Sequence, residues 1–183
     1  MHAESGGERN EHHDTHLSLR LPDEAATLAL GAALAPALTP GLVIALEGDL
    51  GAGKTTLVRG LLRALGHEGR VKSPTYTFVE LYAISRLNLY HFDFYRFNQP
   101  EEYLDAGLDE YFQGDGVCLV EWPERAGNYL PPADLRLRLA IADRGREAEL
   151  VATSRHGQDC LKCLRNWQAG SPGASCSNSG QPR

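Results

Sequence analysis

Cysteine and basic side chains are both scarce in this chain of 183 residues. Its four cysteines are too few and too unevenly spaced for the disulfide scaffold of a secreted protein. The 18 lysine and arginine residues are outnumbered by 24 aspartate and glutamate residues, and the net charge of −6 argues against a protein that coats nucleic acid by charge alone. Residues 1–15 are acidic and hydrophilic, unlike a secretory signal. We therefore expect a cytoplasmic protein.

One uncharged run must be weighed as a membrane span. Residues 25–46 carry no charge and are long enough to cross a bilayer. The run is rich in alanine, however, Pro36 would interrupt a helix, and the sequence Thr39-Pro40-Gly41 is a turn signal. The run therefore predicts a helix, a turn and a buried strand.

The middle of the chain, residues 16–153, predicts one α/β domain with a mixed β-sheet flanked by helices. Residues 1–15 predict a disordered N-terminal extension, and residues 154–183 a low-complexity, mostly disordered C-terminal tail. In that tail Cys160 and Cys163 have the spacing of a redox or zinc pair but lack a second convincing pair. Alternation and short apolar runs predict strands at 16–21, 42–46, 73–80, 87–95, 117–120, 134–141 and 148–152, and apolar periodicity predicts a helix at 55–65.

A phosphate-binding pattern lies between a predicted strand and a predicted helix. The sequence Gly48-Asp49-Leu50-Gly51-Ala52-Gly53-Lys54-Thr55 matches G-x-x-x-x-G-K-[ST]. The glycines allow backbone N–H groups to point at phosphate oxygens, Lys54 would reach the β- and γ-phosphates, and the Thr55 hydroxyl would bind Mg²⁺. The alternative is a plain glycine-rich turn with an exposed lysine, but the strand before the pattern and the helix after it favour a nucleotide site. The predicted α/β domain is therefore of the type found in phosphate-loop NTPases.

Two carboxylates are candidates for organising the Mg²⁺. Glu121 directly follows a buried apolar strand, where a side chain would emerge beside the phosphate-binding loop. Asp93 lies between Phe92 and Phe94, so on an alternating strand it faces away from both. The alternative for each is a surface or ion-paired carboxylate, and Arg96 is near enough in sequence to pair with Asp93.

A segment rich in hydroxyl groups precedes the aromatic strand. Ser73, Thr75 and Thr77 fall within five residues that also contain Pro74. Such a loop could sense a γ-phosphate, as switch loops do. A plain turn is the alternative for this segment.

Four segments together closely resemble the TsaE (YjeE) family of small bacterial ATPases, in order and spacing as well as in motif. They are residues 48–56, 73–80, 91–96 and 120–123. The resemblance extends from about residue 21 to residue 152 and is much more specific than the phosphate-binding pattern alone.

The resemblance implies an ATP-binding protein needed for threonylcarbamoylation of adenosine 37 in tRNAs that read codons beginning with A. A protein of that family does not make the modification itself. It binds the TsaB–TsaD complex, which transfers the threonylcarbamoyl group made by TsaC, so its link to tRNA is indirect. ATP hydrolysis is expected to reset that complex, with ATP, ADP and Mg²⁺ as the bound cofactors.

The resemblance also assigns roles to residues. Residues Gly48 to Thr56 would hold the phosphates, and Thr55 and Glu121 would bind Mg²⁺. Lys54 would stabilise charge on the phosphoryl group, and Asp93 would assist hydrolysis or the outer shell of the metal ion.

Further residues are assigned less directly. Thr75 and Tyr76 would form a switch-like loop that takes part in catalysis. Asp23, Glu24 and Arg146 would lie near the nucleotide, and Arg146 belongs to a glycine-arginine-glutamate segment similar to that of the family. Trp122 would shape the site or a partner surface, with simple packing as the alternative.

Three other functions fit part of the pattern. A small-molecule kinase would need an arginine-rich lid, whereas the segment after Gly66 is strand-like and aromatic. A GTP-driven switch would need an N-K-x-D sequence, and no lysine of this chain follows an asparagine. A non-catalytic nucleotide-sensing adaptor shares every residue with the ATPase. Because the sequence offers no certain general base and no obvious arginine finger, we predict a low intrinsic turnover that partner proteins stimulate.

Overall fold

Strands and helices fill most of residues 15–84 and 86–170, which are the residues that the computed structural model describes. The strands are β1 His16–Leu21, β2 Val43–Glu47, β3 Val79–Ile84, β4 Leu87–Asp93, β5 Val117–Glu121, β6 Leu135–Ile141 and β7 Arg146–Ala152. The α-helices are α1 Glu24–Leu34, α2 Lys54–Ala64, α3 Glu102–Asp105 and α4 Arg155–Gln168. Three 3₁₀ helices connect them at Ala35–Ala37, Leu108–Phe112 and Pro123–Tyr129.

The strands form one mixed sheet in the order β1-β7-β6-β2-β5-β4-β3. The central strands β6, β2, β5 and β4 run parallel to one another, while β7 pairs antiparallel with both β1 and β6, and β3 antiparallel with β4. Val43 to Leu46 of β2 are all buried, as expected of a strand covered on both faces. The predicted class, a single α/β domain with a mixed sheet flanked by helices, is confirmed.

The two faces of the sheet are covered differently. Helices α1, α2 and α4 cover one face with aliphatic side chains that include Leu30, Leu61 and Leu164. The other face, over β4 and β5, carries an aromatic cluster whose fully or almost fully buried members are Phe92, Phe94, Phe97 and Tyr103. The carboxyl ends of β4 and β5, which carry Asp93 and Glu121, are therefore held between two packed layers.

Helices α1 and α2 meet backbone to backbone. A Cβ atom at Gly31 of α1 would lie 2.0 Å from the carbonyl oxygen of Leu57, and one at Gly60 of α2 would lie 2.1 Å from the carbonyl oxygen of Leu28. Only glycine allows this approach at both positions. The contact fixes α2, and with it the loop that precedes α2, relative to α1.

The chain beyond residue 153 differs from the predicted disordered tail. Ser154 accepts a hydrogen bond from the Gly157 backbone N–H at 3.2 Å and so caps α4. Helix α4 packs against α1 and against β6 and β7, so the domain extends to the end of α4 and its predicted boundary at residue 153 is wrong.

The physical reason is an apolar stripe. Cys160, Leu161 and Leu164 recur at helical spacing and have no exposed surface. Residues 170–183 are rich in glycine, serine and proline, and their composition dominates a prediction for residues 154–183 as one segment, so the short stripe carries little weight in it. The predictions for residues 1–14 and 171–183 lie outside the described residues.

The uncharged run 25–46 contains the predicted helix, turn and buried strand. Helix α1 ends just before the 3₁₀ helix that contains Pro36, the Leu42 backbone N–H closes the turn at Thr39-Pro40-Gly41 by donating to the Thr39 carbonyl oxygen at 3.2 Å, and β2 follows. Within the two described ranges no helix combines the length and apolarity that crossing a membrane requires.

The predicted strand at 73–80 starts late. Residues 74–78 form a turn instead, which the Phe78 backbone N–H closes by donating to the carbonyl oxygen of Pro74 at 2.7 Å. Phe78 itself has a left-handed backbone, with φ 67°, which is incompatible with a strand. Strand β3 therefore begins only at Val79.

We expect the substitution Leu164→Ala to lower the free energy of unfolding by about 2–5 kcal/mol, because it removes a fully buried side chain from the contact between α4 and the sheet. Lys162→Ala, on the exposed face of the same helix, is the matched control and should change it by less than about 0.5 kcal/mol. Urea denaturation measures both. Equal stability of the two variants would contradict the packing of α4.

Candidate functional site

The glycine-rich loop, residues 48–53, connects the end of β2 to the start of α2. Gly48 and Gly53 have φ values of 135° and 106°, in the region that favours glycine. A Cβ atom at Gly48 would also lie 2.2 Å from the carbonyl oxygen of Leu139, so no larger residue fits there without movement. The loop leads directly into the N-terminus of α2, where free backbone N–H groups favour an anion.

Arg146 supports the glycine-rich loop from the start of β7. Its guanidinium donates hydrogen bonds to the carbonyl oxygens of Ala52 at 2.9 Å and Gly51 at 3.0 Å. The preceding residue, Gly145, packs so closely that a Cβ atom would lie 2.0 Å from the Leu21 carbonyl oxygen. Arg146 thus ties the loop to the junction between β1 and α1.

Lys54 is the first residue of α2 and is only 5% exposed. Its Nζ donates to the carbonyl oxygens of Gly48 at 2.5 Å and Asp49 at 2.9 Å, and lies 4.3 Å from the ring centroid of Trp122. Burial lowers the pKa of Lys54, and the negative charges around it, Glu121 first, act in the opposite direction. The Lys54 side chain therefore folds back toward the preceding glycine-rich loop and holds its ammonium group inside the site.

Glu121 ends β5 and is 3% exposed. Its Oε1 accepts a hydrogen bond from the Thr55 hydroxyl at 2.8 Å, and Nε2 of His91 lies 2.8 Å from the same oxygen. Two polar side chains from α2 and β4 therefore converge on one carboxylate oxygen. This places the predicted pair Thr55 and Glu121 within hydrogen-bond distance.

Asp93 ends β4 directly beside Glu121, since the two residues are paired in register across the parallel strands. One oxygen of Asp93 accepts from the Ser73 hydroxyl and the other accepts from the Tyr95 backbone N–H at 2.8 Å. Burial raises the pKa of Asp93, while these two hydrogen bonds act in the opposite direction. The two predicted carboxylates thus occupy adjacent positions at one edge of the sheet.

Thr75, Tyr76 and Arg96 lie at the mouth of the site. The Thr75 hydroxyl oxygen is buried without a hydrogen-bond partner among the described residues. Tyr76 is 77% exposed, and the Arg96 guanidinium carbon lies 4.1 Å from its ring centroid. Arg96 therefore stacks on Tyr76, and the partners that the structure gives to Asp93 are Ser73 and Tyr95.

Trp122 forms another wall of the site. Its backbone is left-handed, with φ 58°, which is uncommon for a residue other than glycine. The indole packs against Tyr95, with ring centroids 5.0 Å apart, in addition to its contact with Lys54. A strained backbone of this kind is typical of functional sites.

These side chains enclose a cleft of about 460 Å³. It is lined by Leu50, Gly51, Gly53, Lys54, Thr55, Thr56, Ser73, Thr75, Asp93, Tyr95, Arg96, Glu121 and Trp122. Most of the residues predicted to form the site therefore meet in one place.

Several residues predicted near the nucleotide do not line this cleft, and Arg146, which contacts the glycine-rich loop from outside it, is one of them. Gly48 and Asp49 line a neighbouring groove, and Ala52 is buried beneath the loop. Glu24 is the exposed first residue of α1, next to the cap residue Asp23.

His91 is not among the residues that the sequence predicts for the site, although it lies beside them. His91 and Asp93 are two residues apart on β4, and alternation along the strand places both on the same face. That spacing was the available signal, since a polar residue two positions before a candidate carboxylate faces the same side of the sheet.

Fold and site together define the class: a small single-domain α/β protein with one glycine-rich loop between a buried strand and a helix, faced by two adjacent carboxylates. A family model described as "Threonylcarbamoyl adenosine biosynthesis protein TsaE" matches residues 21–149. The chain belongs to the TsaE family.

Individual relatives agree with this assignment. The chain is 42% identical over 155 residues to the tRNA threonylcarbamoyladenosine biosynthesis protein TsaE of Haemophilus influenzae, which covers 82% of this chain and 98% of the relative. It is 43% identical over 148 residues to the protein of the same name from Bacillus subtilis, covering 79% and 90%. The crystal structure of Bacillus subtilis YdiB superposes with a TM-score of 0.69 at 35% identity, covering 84% of this chain and 96% of YdiB.

The substitution Asp93→Asn tests the electrostatics of the site. Because burial raises the pKa of Asp93, the native state binds a proton more tightly than the unfolded chain, whose carboxyl has a pKa near 3.8. Stability therefore falls as pH rises through the window above 3.8, where the native carboxylate loses its proton. We expect Asp93→Asn to be more stable than the wild type at neutral pH, and the difference to vanish as pH falls below 3.8.

Urea denaturation across this pH range measures the effect, with Asp105→Asn on the exposed surface as the control. A variant that is less stable than the wild type at neutral pH would contradict the assignment of a costly buried charge to Asp93.

Proposed function

We propose that this protein binds ATP and ADP with Mg²⁺ in the cleft, hydrolyses ATP slowly, and in this way serves the formation of threonylcarbamoyladenosine in tRNA. The observation that carries the proposal is the meeting of Thr55 and Glu121 at 2.8 Å beside the buried Lys54. The names of the relatives from Haemophilus influenzae and Bacillus subtilis support the link to tRNA.

The glycine-rich loop and the N-terminus of α2 would hold the phosphates. The left-handed glycines allow the backbone to curl, and the helix N-terminus adds a partial positive charge. Lys54 would exchange its two carbonyl partners, those of Gly48 and Asp49, for phosphate oxygens. The buried Thr75 hydroxyl, which has no partner among the described residues, is a further group that a phosphate could satisfy.

The donor set fits Mg²⁺. Hydroxyl and carboxylate oxygens are the ligands that this ion prefers, and Thr55 and Glu121 present one of each at the cleft. Thr55 and Glu121 would hold the ion, with Asp93 beside them. When bound, Mg²⁺ supplies positive charge that neutralises the phosphate oxygens.

The nucleoside would extend from the loop toward Arg146 and Glu24. Arg146 contacts the loop carbonyls of Gly51 and Ala52, and Gly145 packs against the end of β1, directly before α1. The carboxyl ends of β1 and β6 lie at the same edge of the sheet as the loop, and nucleotides bind at such edges in α/β proteins.

Catalysis by this chain alone would be slow. Lys54 would stabilise charge on the phosphoryl group, and Asp93, beside the cation ligands, would orient the attacking water through the carboxylate that Ser73 and Tyr95 hold in place. The arginine that lines the cleft, Arg96, is stacked on Tyr76. A partner that completes the site would therefore raise the turnover.

The partner that we propose is the TsaB–TsaD complex, which receives the threonylcarbamoyl group through TsaC and acts on tRNA. ATP hydrolysis by this chain would reset that complex between turnovers in the cytoplasm. The contact between this chain and tRNA would then be indirect.

We expect Lys54→Ala to abolish multiple-turnover formation of threonylcarbamoyladenosine by TsaC, TsaB and TsaD with Mg²⁺ and ATP, because it removes the cation that faces the phosphates. The assay compares no addition, the wild type, Lys54→Ala, and the exposed control Lys72→Ala, which should behave as the wild type. Nucleotide affinity of each variant is measured alongside.

The other outcomes are distinct. Equal rescue by Lys54→Ala would mean that binding of the protein suffices, and the non-catalytic adaptor would replace the ATPase. No rescue by the wild type, despite measurable ATP binding, would overturn the tRNA assignment and favour a small-molecule kinase.

A further inference from the structure

His91 is a fully buried imidazole to which the proposed function assigns no step. Its Nε2 lies 2.8 Å from Oε1 of Glu121, and its Nδ1 is buried without a hydrogen-bond partner among the described residues. A carboxylate can only accept, so the proton shared between the two groups belongs to Nε2. The contact with Glu121 is therefore the polar interaction that orients this ring.

An apolar residue would suit the position better if packing alone mattered. The neighbours of His91 on the same face of β4 include Leu89, which is fully buried in the aliphatic core. Burying an imidazole with one unpaired nitrogen costs stability that a leucine would not cost. The contact with Glu121 is the feature of His91 that a leucine could not reproduce.

The two side chains that donate to Glu121 differ in whether they could bind the cation directly. Thr55 lines the cleft and is itself a proposed ligand of the cation. His91 has no exposed surface and is not among the residues that line the cleft; it approaches Glu121 from the adjacent strand β4. Carboxylates that bind metal ions are normally held by a further hydrogen bond from outside the coordination sphere.

We propose that His91 is a positioning residue: through Nε2–H it holds the Glu121 carboxylate in the orientation that faces Thr55, and so raises the affinity of the site for a divalent cation. The inference rests on the proposed function, because it concerns the cation that accompanies the nucleotide. It assigns no contact between His91 and the nucleotide or the cation.

A pair of amide variants isolates the one nitrogen. Glutamine carries its amide nitrogen at the position of Nε2, whereas asparagine carries it at the position of Nδ1, away from Glu121. His91→Gln should therefore keep the hydrogen bond to Glu121 and His91→Asn should lose it. Leu89→Ala, two residues away on the same face, controls for loss of core packing alone.

The measurement uses Mn²⁺ as the probe, because its six-line electron paramagnetic resonance spectrum disappears when the ion binds. We expect the Mn²⁺ affinity of the complex with ADP to fall about 10-fold or more in His91→Asn, and to stay near the wild-type value in His91→Gln and Leu89→Ala. The affinity for ADP in the presence of EDTA should be the same in all four proteins.

Each other result overturns the inference. Wild-type Mn²⁺ affinity in His91→Asn would show that Glu121 needs no support from His91. An equal loss in His91→Asn, His91→Gln and Leu89→Ala would show a packing role only. If the wild type binds ADP but no Mn²⁺, the result contradicts the cation site and leaves the nucleotide site in place. If the wild type binds neither, the result contradicts the proposed function itself.

Discussion

Parallel pairing of β2, β5 and β4 is the constraint on which the cleft depends. The carboxyl ends of parallel strands meet at one edge of a sheet, so the glycine-rich loop, Glu121 and Asp93 come together although they are far apart in sequence. The register pairs Glu121 with both Leu46 and Asp93. A slip of one residue in β4 would turn Asp93 into the aromatic cluster on the other face, and the packed phenylalanines there oppose such a slip.

The same edge of the sheet concentrates opposite charges in a small volume. Lys54, Glu121 and Asp93 are all 5% exposed or less, and burial alone would make each charge costly. Their mutual attraction and their hydrogen bonds offset part of that cost. The Thr75 hydroxyl oxygen in the cleft is buried without a hydrogen-bond partner among the described residues, and a bound polar group could satisfy it.

The sequence predicts those features of the fold and the site that depend on residues close together in the chain, and not those that depend on contacts between distant segments. The glycine-rich loop, β1, and the positions of Asp93 and Glu121 follow from short patterns, since alternation assigns faces and an apolar run marks where a strand ends. The sequence does not predict helix α4, because the composition of the tail outweighs a stripe of only a few apolar residues. The contact of His91 with Glu121 joins β4 to β5, and no pattern within either strand specifies it. For Glu24 and Arg146 only the resemblance to the family suggested a role; the structure adds the hydrogen bonds of Arg146 to the loop.

The backbone contact between α1 and α2 affects where inactivating mutations should be found. Gly31 and Gly60 line no cleft and carry no side chain, yet any other residue at either position would force the two helices apart. Because α2 begins at Lys54, a displaced α2 would carry Lys54 and Thr55 away from Glu121. In a genetic screen, inactivating mutations would therefore accumulate at these two glycines as well as in the cleft, and a list of such mutations would contain positions that no ligand touches.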